Sequence, residues 1–379
     1  MIYLDYNATT PVLPEVLEAM HPWFGERFGN AASATHSFGW AASEAVKMAR
    51  ETIAQCIEAE REELIFCSGA TEAINLALQG LAMHSKPERR GLVYLATEHK
   101  AVVDTIKHLA SFGFPITEIP VDANGVADQK ALEAAINQQT LMVCAMLVNN
   151  ETGLIQPLEH IAEMARRNGA FLLCDASQAP GKTPVNVHQI GADLLVLSAH
   201  KCYGPKGMGA LYLRRKNPRV QIAPMIFGGG HEKGLRSGTL NVPGIVGMAE
   251  ALRLATENCS QWAQEIGRMR DELERQLQQI QGVHITALKA ARVYNTSHFR
   301  VEGLRASSLI KALPGLALST GSACSSAGGE PSHVCKALGM TDKQALESLR
   351  ISLGITLQPS EFSIAIEQLC NAIRRESGV

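Results

Sequence analysis

Short apolar runs alternate with helical patterns from about residue 40 to residue 215. This alternation is typical of an α/β domain with a mostly parallel sheet. The runs are rich in Val, Leu, Ile and Cys and show little polar alternation, as strands buried on both faces do. We predict strands at 64–67, 92–96, 142–147, 171–174 and 194–197. A further strand is predicted at 209–213, after a glycine-rich turn, and is a candidate for antiparallel pairing.

A second region begins with a long helical pattern that runs from Pro243 to about Ile280. A helix of this length exceeds the usual range and can connect two domains. Strand-like pieces follow at 284–287, 293–300 and 349–353. We therefore predict an α/β fold: a large domain with a mostly parallel seven-stranded sheet flanked by helices, and a smaller α+β domain. The predicted large domain is 15–255, and 1–14 with 256–379 forms the small domain.

Composition excludes several classes of protein. The chain has 379 residues, 46% hydrophobic and 19% charged, which are globular values. Its net charge of −2 gives no overall attraction to nucleic acid or an anionic membrane, so we expect it to bind neither directly. The longest apolar stretch, 141–148, is far shorter than the roughly 20 residues that span a bilayer. The N-terminus lacks the pattern of a signal peptide, and we expect a cytoplasmic protein.

The cysteine pattern predicts neither a disulfide framework nor a metal site. Nine cysteines are present, no C-x-x-C occurs, and the closest ligand-like pair, Cys324 and Cys335, is too widely spaced for zinc. Cys67, Cys144 and Cys174 lie inside apolar runs, where cysteine acts as a small buried hydrophobe. This usage indicates a reducing compartment.

The run from Leu64 to Gly80 predicts a strand, a tight Ser-Gly-Ala-Thr turn and an amphipathic helix. Backbone N–H groups and the Thr71 hydroxyl would then lie at a helix N-terminus, which favours a phosphate. A simple helix cap, with Thr71 followed by Glu72, explains the same residues. Taken alone, the turn therefore leaves both interpretations open.

Two further residues follow predicted strands. Asp175 ends a buried strand, at the edge where ligands collect in open α/β sheets, and a protonated pyridine nitrogen would be a suitable partner. Lys201 follows the next strand, where desolvation can free its amine to react with an aldehyde. Ser198 and His200 beside it can bind phosphate. A helix-capping Asp and a surface lysine are the alternatives, but together the three elements describe a pyridoxal phosphate pocket.

Seven motifs in a fixed order make the resemblance specific. The chain resembles the class V aminotransferases, and within them the NifS/IscS cysteine desulfurases, from YLDYNATTP at the start to LRISLG near residue 354. The motifs are SGATEA, TEHKAV, VNNETG, DASQAPGK, SAHKCYGPKG, GGGHEKGLRSGT and STGSACSSA. The resemblance implies an aspartate-aminotransferase-like fold, pyridoxal 5'-phosphate as cofactor and L-cysteine as substrate.

The resemblance also implies roles for individual residues. Lys201 would bind the cofactor covalently, Asp175 would pair with its pyridine nitrogen, and His99 would stack on its ring and move protons. The phosphate would be held by Ala70, Thr71, Ser198 and His200. Thr239 would reach it from a neighbouring subunit, which implies a homodimer with shared active sites. Asn150 and Gln178 would hydrogen-bond the cofactor or substrate, and Arg350 would bind the substrate carboxylate. For His99 and Arg350, a buried structural histidine and a surface salt bridge are the alternatives.

Cys324 distinguishes between the possible reactions. Its neighbourhood, LSTGSACSSAGG, consists of small, polar and glycine residues, which is typical of an exposed loop. An exposed thiolate can act as a nucleophile. By the resemblance, Cys324 would take the sulfur of L-cysteine as a persulfide, leave L-alanine, and pass the sulfur to an acceptor protein.

Several alternatives stay open. The same pocket would suit a selenocysteine or cysteine-sulfinate lyase, and a non-catalytic sulfur-relay subunit is a further possibility. Iron–sulfur cluster assembly, nitrogenase cluster assembly, tRNA thiolation and DNA phosphorothioation are all possible pathways for the sulfur. Family members that dock an iron–sulfur scaffold have a longer C-terminal segment than this chain, which ends at Val379. This difference puts docking to such a scaffold in doubt.

Overall fold

The computed structural model describes residues 1–321 and 330–377. The strands are β1 (Ile2–Tyr3), β2 (Leu64–Cys67), β3 (Gly91–Leu95), β4 (Ile116–Ile119), β5 (Thr140–Met146), β6 (Phe171–Asp175), β7 (Leu194–Ser198), β8 (Gly209–Leu213), β9 (Val283–Ile285), β10 (Thr296–Val301), β11 (Leu316–Ala317) and β12 (Ser348–Ser352). The helices are α1 (Pro14–Met20), α2 (Ser37–Cys56), α3 (Ala70–Met83), α4 (Lys100–Ala110), α5 (Gln129–Ala135), α6 (Leu158–Arg167), α7 (Val187–Ile190), α8 (Val242–Leu277), α9 (Ala306–Ala312), α10 (His333–Ala337), α11 (Asp342–Leu346) and α12 (Pro359–Ser377).

The main sheet has seven strands in the order β2-β8-β7-β6-β5-β3-β4. Only β8 runs antiparallel to its neighbours, β2 and β7, and the remaining pairs are parallel. The predicted α/β fold with a mostly parallel seven-stranded sheet is therefore confirmed, as are the six strands that the sequence located. The seventh, β4, was not located, because it is an edge strand with three of its four residues exposed.

The main sheet is buried on both faces. One apolar core lies between the sheet and α2, α6 and the first half of α8, and a second lies between the sheet and α3 and α4. Every residue of β5 and of β7 is buried, which explains why these strands read as continuous apolar runs. In parallel strands with helical crossovers, the carboxyl ends point to one edge, and side chains that follow them converge there.

A second group of elements packs around its own core. Here β12, β10 and β9 form an antiparallel sheet, and β1 pairs in parallel with β11. The apolar side chains of this group, together with the end of α8, form a separate core. This core is distinct from the two that flank the main sheet. The division into 15–255 and 1–14 with 256–379 stays a prediction.

The long helix α8 has 36 residues, as the sequence predicted. Its first half packs into the core of the main sheet through Ile245, Met248 and Leu252. Its second half packs into the other core through Leu273 and Leu277. One rigid element thus joins the two cores. Among the described residues, no helix combines the length and apolar character needed to cross a membrane.

Candidate active site

A cavity of about 550 Å³ lies at the carboxyl edge of the main sheet. The segments after β2, β3, β5, β6 and β7 all contribute to its wall, as the strand order requires. Ten of the site residues predicted from the sequence line it: Ala70, Thr71, His99, Asn150, Asp175, Gln178, Ser198, His200, Lys201 and Arg350. The structure therefore brings together side chains that are separated by up to 280 positions in the sequence.

The turn between β2 and α3 presents a helix N-terminus to this cavity. Gly69 caps the helix with φ of 156° and ψ of −179°, a backbone conformation that is essentially restricted to glycine. The start of β8 passes so close that a Cβ on Gly209 would lie 2.7 Å from the Cα of Gly69. Ala70 and Thr71 follow in the first turn, where free N–H groups and the helix dipole favour an anion.

Glu72 ties this turn to a distant segment. Its carboxylate accepts a 2.8 Å hydrogen bond from the backbone N–H of Ser68. Its two oxygens also accept hydrogen bonds from Arg236, at 2.8 and 3.2 Å. Arg236 belongs to the RSGT motif, so this ion pair fixes that motif beside the turn, and it neutralises an acid that would otherwise oppose a phosphate.

Asp175 lies at the end of β6 and is 7% exposed. Its Oδ1 accepts hydrogen bonds from the backbone N–H of Ser177 at 2.9 Å and from the Ser177 hydroxyl at 2.5 Å. The next helix, α7, begins only at Val187, so Asp175 does not cap a helix. A buried carboxylate of this kind is held in place for a cationic or donor partner within the cavity.

Lys201 ends a short 3-10 helix that directly follows β7. Its Nζ donates hydrogen bonds of 2.8 Å to the backbone carbonyl oxygens of Asn7 and Ala8. The N-terminal segment thus lies over the cavity and positions the lysine. The amine of a lysine can form an imine with an aldehyde, and Lys201 lines the cavity.

Gln178 and Lys182 lie in the same polar network. Gln178 donates from Nε2 to the carbonyl oxygen of Asn7 at 2.8 Å, and its Oε1 accepts from Nζ of Lys182 at 2.5 Å. Lys182 also donates to Oδ1 of Asn7, at 3.2 Å. Burial, together with the charge of Lys201, lowers the pKa of Lys182 to about 7. The network therefore places a second amine, easily deprotonated, behind Lys201.

His99 precedes α4 and caps it. Its Nδ1 accepts a 3.1 Å hydrogen bond from the backbone N–H of Ala101, so the proton of the neutral ring is assigned to Nε2. Burial lowers the pKa of His99, Asp175 opposes this effect, and Lys201 adds to it. The ring is consequently a neutral imidazole at the cavity wall, suited to stacking and to proton transfer.

His200 and Ser198 occupy the opposite side of the lysine. Nδ1 of His200 is 3.1 Å from Oγ1 of Thr9, and burial lowers the pKa of His200 to about 4. His200 is therefore neutral near pH 7 and can contribute a hydrogen bond without a charge. Ser198, at the end of β7, is 2% exposed. Ser198 and His200 both line the cavity.

Arg350 enters the cavity from β12. It is 1% exposed, its Nη1 donates to the carbonyl oxygens of Asn150 at 2.9 Å and Gly321 at 2.5 Å, and its Nη2 donates to Asp5 at 2.5 Å. The Nε of Arg350 is buried and has no hydrogen-bond partner within the described chain. Since a buried donor is normally satisfied, this N–H is available for a ligand carboxylate.

Two predicted site residues lie elsewhere. Thr239 is exposed and is not among the residues that line the cavity. Cys324 lies outside the residues that the structure describes, and its predicted role stays a prediction.

Sequence reasoning missed several residues that the structure places at the site. Asn7 lines the cavity together with Ala8, and Asp5 holds Arg350. His333 also lines it and donates from Nε2 to the carbonyl oxygen of Glu98 at 2.9 Å. The motif YLDYNATTP was the available signal for Asp5 and Asn7, although it gave no indication of their contacts.

The whole architecture agrees with a known family. Residues 2–363 match the family described as aminotransferase class-V. This chain belongs to the class-V aminotransferase family. The match covers both cores that flank the main sheet, most of the separate core and every residue of the cavity, so the family assignment applies to the site as well as to the fold.

Individual class-V relatives are similar over almost their full length. The chain is 45% identical over 367 residues to the cysteine desulfurase IscS of Methylococcus capsulatus, covering 96% of this chain and 91% of that relative. A solved NifS-like protein superimposes with a TM-score of 0.91 at 35% identity, covering 99% of each chain. A solved structure titled SspA in complex with cysteine gives a TM-score of 0.82 at 35% identity, covering 93% of this chain and 99% of that one. The resemblance to NifS/IscS proteins is confirmed.

The class-V family depends on pyridoxal 5'-phosphate, and the cavity fits this cofactor. The N-terminus of α3 suits its phosphate, the buried carboxylate of Asp175 suits its pyridine nitrogen, and Lys201 suits its aldehyde. The unpaired Nε of Arg350 suits the carboxylate of an amino-acid substrate. The phosphate, pyridine nitrogen and aldehyde of the cofactor and the carboxylate of the substrate therefore have complementary groups in one cavity.

Proposed function

We propose that this chain is a pyridoxal-phosphate-dependent cysteine desulfurase, which converts L-cysteine to L-alanine and transfers the sulfur to Cys324 and then to an acceptor. One observation carries the proposal: a single cavity brings Lys201, Asp175, a helix N-terminus and Arg350 together. The curated relatives named cysteine desulfurase and the related structure with cysteine support the choice of substrate.

The cofactor, when bound, supplies an electron sink for the bonding electrons of the substrate's α-proton. Lys201 would hold the cofactor through its aldehyde. Its amine, once free, would take the α-proton and, after sulfur transfer, return a proton to Cα. Asp175 would keep the pyridine nitrogen protonated, and His99 would lie beside the ring. Ala70, Thr71, Ser198 and His200 would hold the phosphate.

The substrate is oriented at its carboxylate. Arg350 donates to this carboxylate through Nε, the donor that has no protein partner within the described chain. Asn150 and Gln178 provide amide groups beside the reacting centre. Because three of the guanidinium's hydrogen bonds to the protein are already formed, its orientation is set before the substrate arrives.

Sulfur transfer is assigned to Cys324. Its thiolate attacks the substrate Sγ, the substrate Cβ–Sγ bond breaks, and a Cys324 persulfide forms. The substrate Cβ takes up a proton, so that the products are L-alanine and the persulfide. A thiol of the acceptor protein then takes the outer sulfur and restores Cys324.

Alanine formation from L-cysteine in the presence of a thiol reductant tests this function. We expect product from the wild type and none from Lys201→Ala or Cys324→Ser, while Cys259→Ser and Lys107→Ala serve as matched controls that keep activity. Lys201→Ala should also lose the visible absorption of the covalently bound cofactor, whereas Cys324→Ser should keep it. Alanine that is still formed by Cys324→Ser would contradict the persulfide step.

The alternative enzymes and the relay subunit give different results in this assay. A selenocysteine or cysteine-sulfinate lyase would act on its own substrate without Cys324. A non-catalytic relay would neither bind the cofactor nor form alanine. The curated relatives favour neither alternative, since those with high identity are named cysteine desulfurases.

A homodimer is supported by large exposed aromatic side chains near the start of the chain, namely Phe24, Phe28, Phe38 and Trp40. These side chains are 68%, 70%, 48% and 59% exposed. The rings of Phe28 and Phe38 are 5.3 Å apart. Large apolar side chains grouped on a surface mark an interface. We assign this interface to a second copy of the chain. In such a dimer Thr239 would reach the phosphate site of the partner subunit.

The molar mass in solution tests the dimer. We expect the wild type to have twice the mass of the chain in light scattering, and Phe28→Glu with Phe38→Glu to shift it toward the monomer. Phe112→Glu is the matched control, because Phe112 is also an exposed aromatic residue (63%) but follows α4. This variant should remain dimeric. A monomeric wild type would rule out shared active sites.

The physiological setting rests on the family resemblance. The IscS name of the curated relatives favours iron–sulfur cluster assembly among the pathways for the sulfur. We assign the protein to the cytoplasm, because its buried thiols, such as Cys144 and Cys174, are unpaired, as is usual in a reducing compartment. Affinity purification from the native cell, followed by identification of the bound sulfur acceptor, tests both assignments.

A further inference from the structure

Three side chains near the cavity have no part in the proposed reaction. The atoms of Glu151, His298 and Cys335 that can bind a metal all lie within 4.8 Å of one another. The three residues are 1%, 0% and 0% exposed. A carboxylate, an imidazole and a thiol grouped in this way, away from water, form a ligand set that zinc prefers in proteins.

Two of the three side chains are fixed by partners outside the cluster. Nδ1 of His298 is 2.8 Å from Oγ1 of Thr286, which directs Nε2 toward Sγ of Cys335 at 3.6 Å. Glu151 accepts a 2.6 Å hydrogen bond from the hydroxyl of Ser332. Metal-binding histidines are typically held through their other ring nitrogen, and ligating carboxylates through a further hydrogen bond. The cluster therefore has the outer support of a metal site.

The charges of the cluster also fit a divalent cation. Burial, with the charge of Arg350, lowers the pKa of His298 to about 4, so its ring is neutral and can act as a ligand. Burial raises the pKa of Cys335 to about 12, so without a metal the thiol keeps its proton. A divalent ion would displace this proton, and one carboxylate with one thiolate would balance its charge. Arg350 is already balanced by Asp5.

We propose that Glu151, His298 and Cys335 bind a zinc ion that ties the main sheet to the smaller one. Glu151 follows β5 of the main sheet, His298 lies in β10, and Cys335 lies in α10. A bound ion would cross-link these three elements behind Arg350, which faces His298 across the β10–β12 pair. The site departs from the prediction of no metal, which rested on local cysteine spacing and could not detect ligands from three elements.

Cobalt binding tests the site, because a thiolate bound to Co²⁺ gives a charge-transfer absorption that other ligands do not. The protein is the cofactor-loaded, tag-free Cys324→Ser variant, so that the proposed reactive thiol cannot bind the ion. After treatment with a chelator, we expect one equivalent of Co²⁺ to produce the absorption and Zn²⁺ to abolish it. We also expect Zn²⁺ to raise the thermal midpoint of unfolding.

Variants separate this site from other thiols. Adding Cys335→Ser should abolish the absorption, and His298→Gln should weaken it and reduce the zinc-induced thermal shift. Cys370→Ser, which removes another buried thiol, is the matched control and should leave both unchanged. Should Cys335→Ser not fold, His298→Gln and Glu151→Gln provide the same comparison.

Two results would overturn the proposal. One is a folded parent protein that gives no charge-transfer absorption with Co²⁺, and the other is an absorption that persists in Cys335→Ser. None of these measurements depends on desulfurase activity. Failure of the zinc site and failure of the proposed reaction are therefore distinguishable.

Discussion

Oδ1 of Asp5 accepts a hydrogen bond of 2.5 Å from Nη2 of Arg350, and this pair links the N-terminal segment to β12. The other terminal nitrogen of Arg350 is bound by two backbone carbonyl oxygens. Asp5 therefore takes one of the two Nη2 hydrogens, and Nε is a donor without a partner within the described chain. If Arg350 binds the substrate carboxylate as proposed, the N-terminal segment contributes to that binding through Asp5.

Replacing Asp5 by Asn should weaken substrate binding more than catalysis. The amide keeps an acceptor but loses the charge that orients Arg350, and we expect KM for L-cysteine to rise about tenfold with a smaller change in kcat. Steady-state kinetics of alanine formation measures both. Asp271→Asn, which removes the 70% exposed partner of Arg270, is the control and should behave as the wild type. An unchanged KM in Asp5→Asn would contradict this role.

The close pair Gly69 and Gly209 should be intolerant of side chains. Gly69→Ala forces a Cβ into a conformation with φ of 156°, and Gly209→Ala brings a Cβ to 2.7 Å from Gly69. We expect each to destabilise the fold by about 1–3 kcal/mol and to weaken cofactor affinity. Urea unfolding and cofactor titration measure the two effects. Gly315→Ala is the control: a Cβ there would have its nearest contact at 3.8 Å, so the substitution should be neutral. Equal cofactor affinity in all three variants would contradict the prediction.

Features that depend on local pattern were predictable from the sequence. Buried parallel strands give apolar runs, and polar residues directly after them, such as Asp175 and Lys201, must lie at one sheet edge. For this reason the fold, the turn with Thr71, and Asp175, Ser198, His200 and Lys201 followed from the residues themselves, whereas His99, Asn150, Gln178 and Arg350 came from the family resemblance. The family resemblance then assigned a role to each residue.

Features that depend on long-range contacts were not predictable. The edge strand β4 has no apolar run, because three of its four residues face solvent. The carbonyl oxygen of Asn7 contacts Lys201, 194 positions away, and no periodicity encodes such a contact. The cluster of Glu151, His298 and Cys335 draws on three separate elements, so no spacing motif announces it.

The pH dependence of stability should reveal Lys182. Its pKa falls from the usual 10.5 to about 7 in the folded protein, mainly through burial. Between these values the unfolded chain holds a proton that the folded chain has released, so this group makes stability rise with pH. The destabilisation of the fold by the buried charge of Lys182 is fully present below about pH 7 and is lost as the pH approaches about 10.5.

Lys182→Met removes this dependence. We expect the wild type to gain stability relative to Lys182→Met as the pH rises from about 7 to about 9, in urea unfolding at one fixed cofactor concentration. The loss of the donor to Asn7 and Gln178 lowers the stability of the variant by an amount that does not depend on pH. Lys107→Met, at an exposed position on α4, is the control and should give a profile parallel to that of the wild type. A constant difference between wild type and Lys182→Met would contradict the lowered pKa.

Asn7 is 2% exposed and connects residues from both sheets. Its Nδ2 donates to Oγ1 of Thr296 at 2.8 Å and to the carbonyl oxygen of Asn150 at 3.2 Å. Its backbone carbonyl oxygen accepts from Lys201, so any shift of this residue also moves the lysine's partner. Asn7 is therefore a positioning residue for Lys201, although it has no reactive group of its own.

Asn7→Asp tests this role, because it preserves the shape of the side chain and removes both Nδ2 donors. We expect a loss of about 2 kcal/mol in the free energy of unfolding, because Oγ1 of Thr296 loses its donor and the carbonyl oxygen of Asn150 keeps only the hydrogen bond from Arg350. With Lys201 displaced, kcat should fall about tenfold while KM changes less and the visible cofactor absorption remains. Asn124→Asp, at an exposed turn, is the control and should leave all three unchanged. If Asn7→Asp lost stability but kept kcat, the residue would be purely structural and Lys201 would be positioned by other contacts.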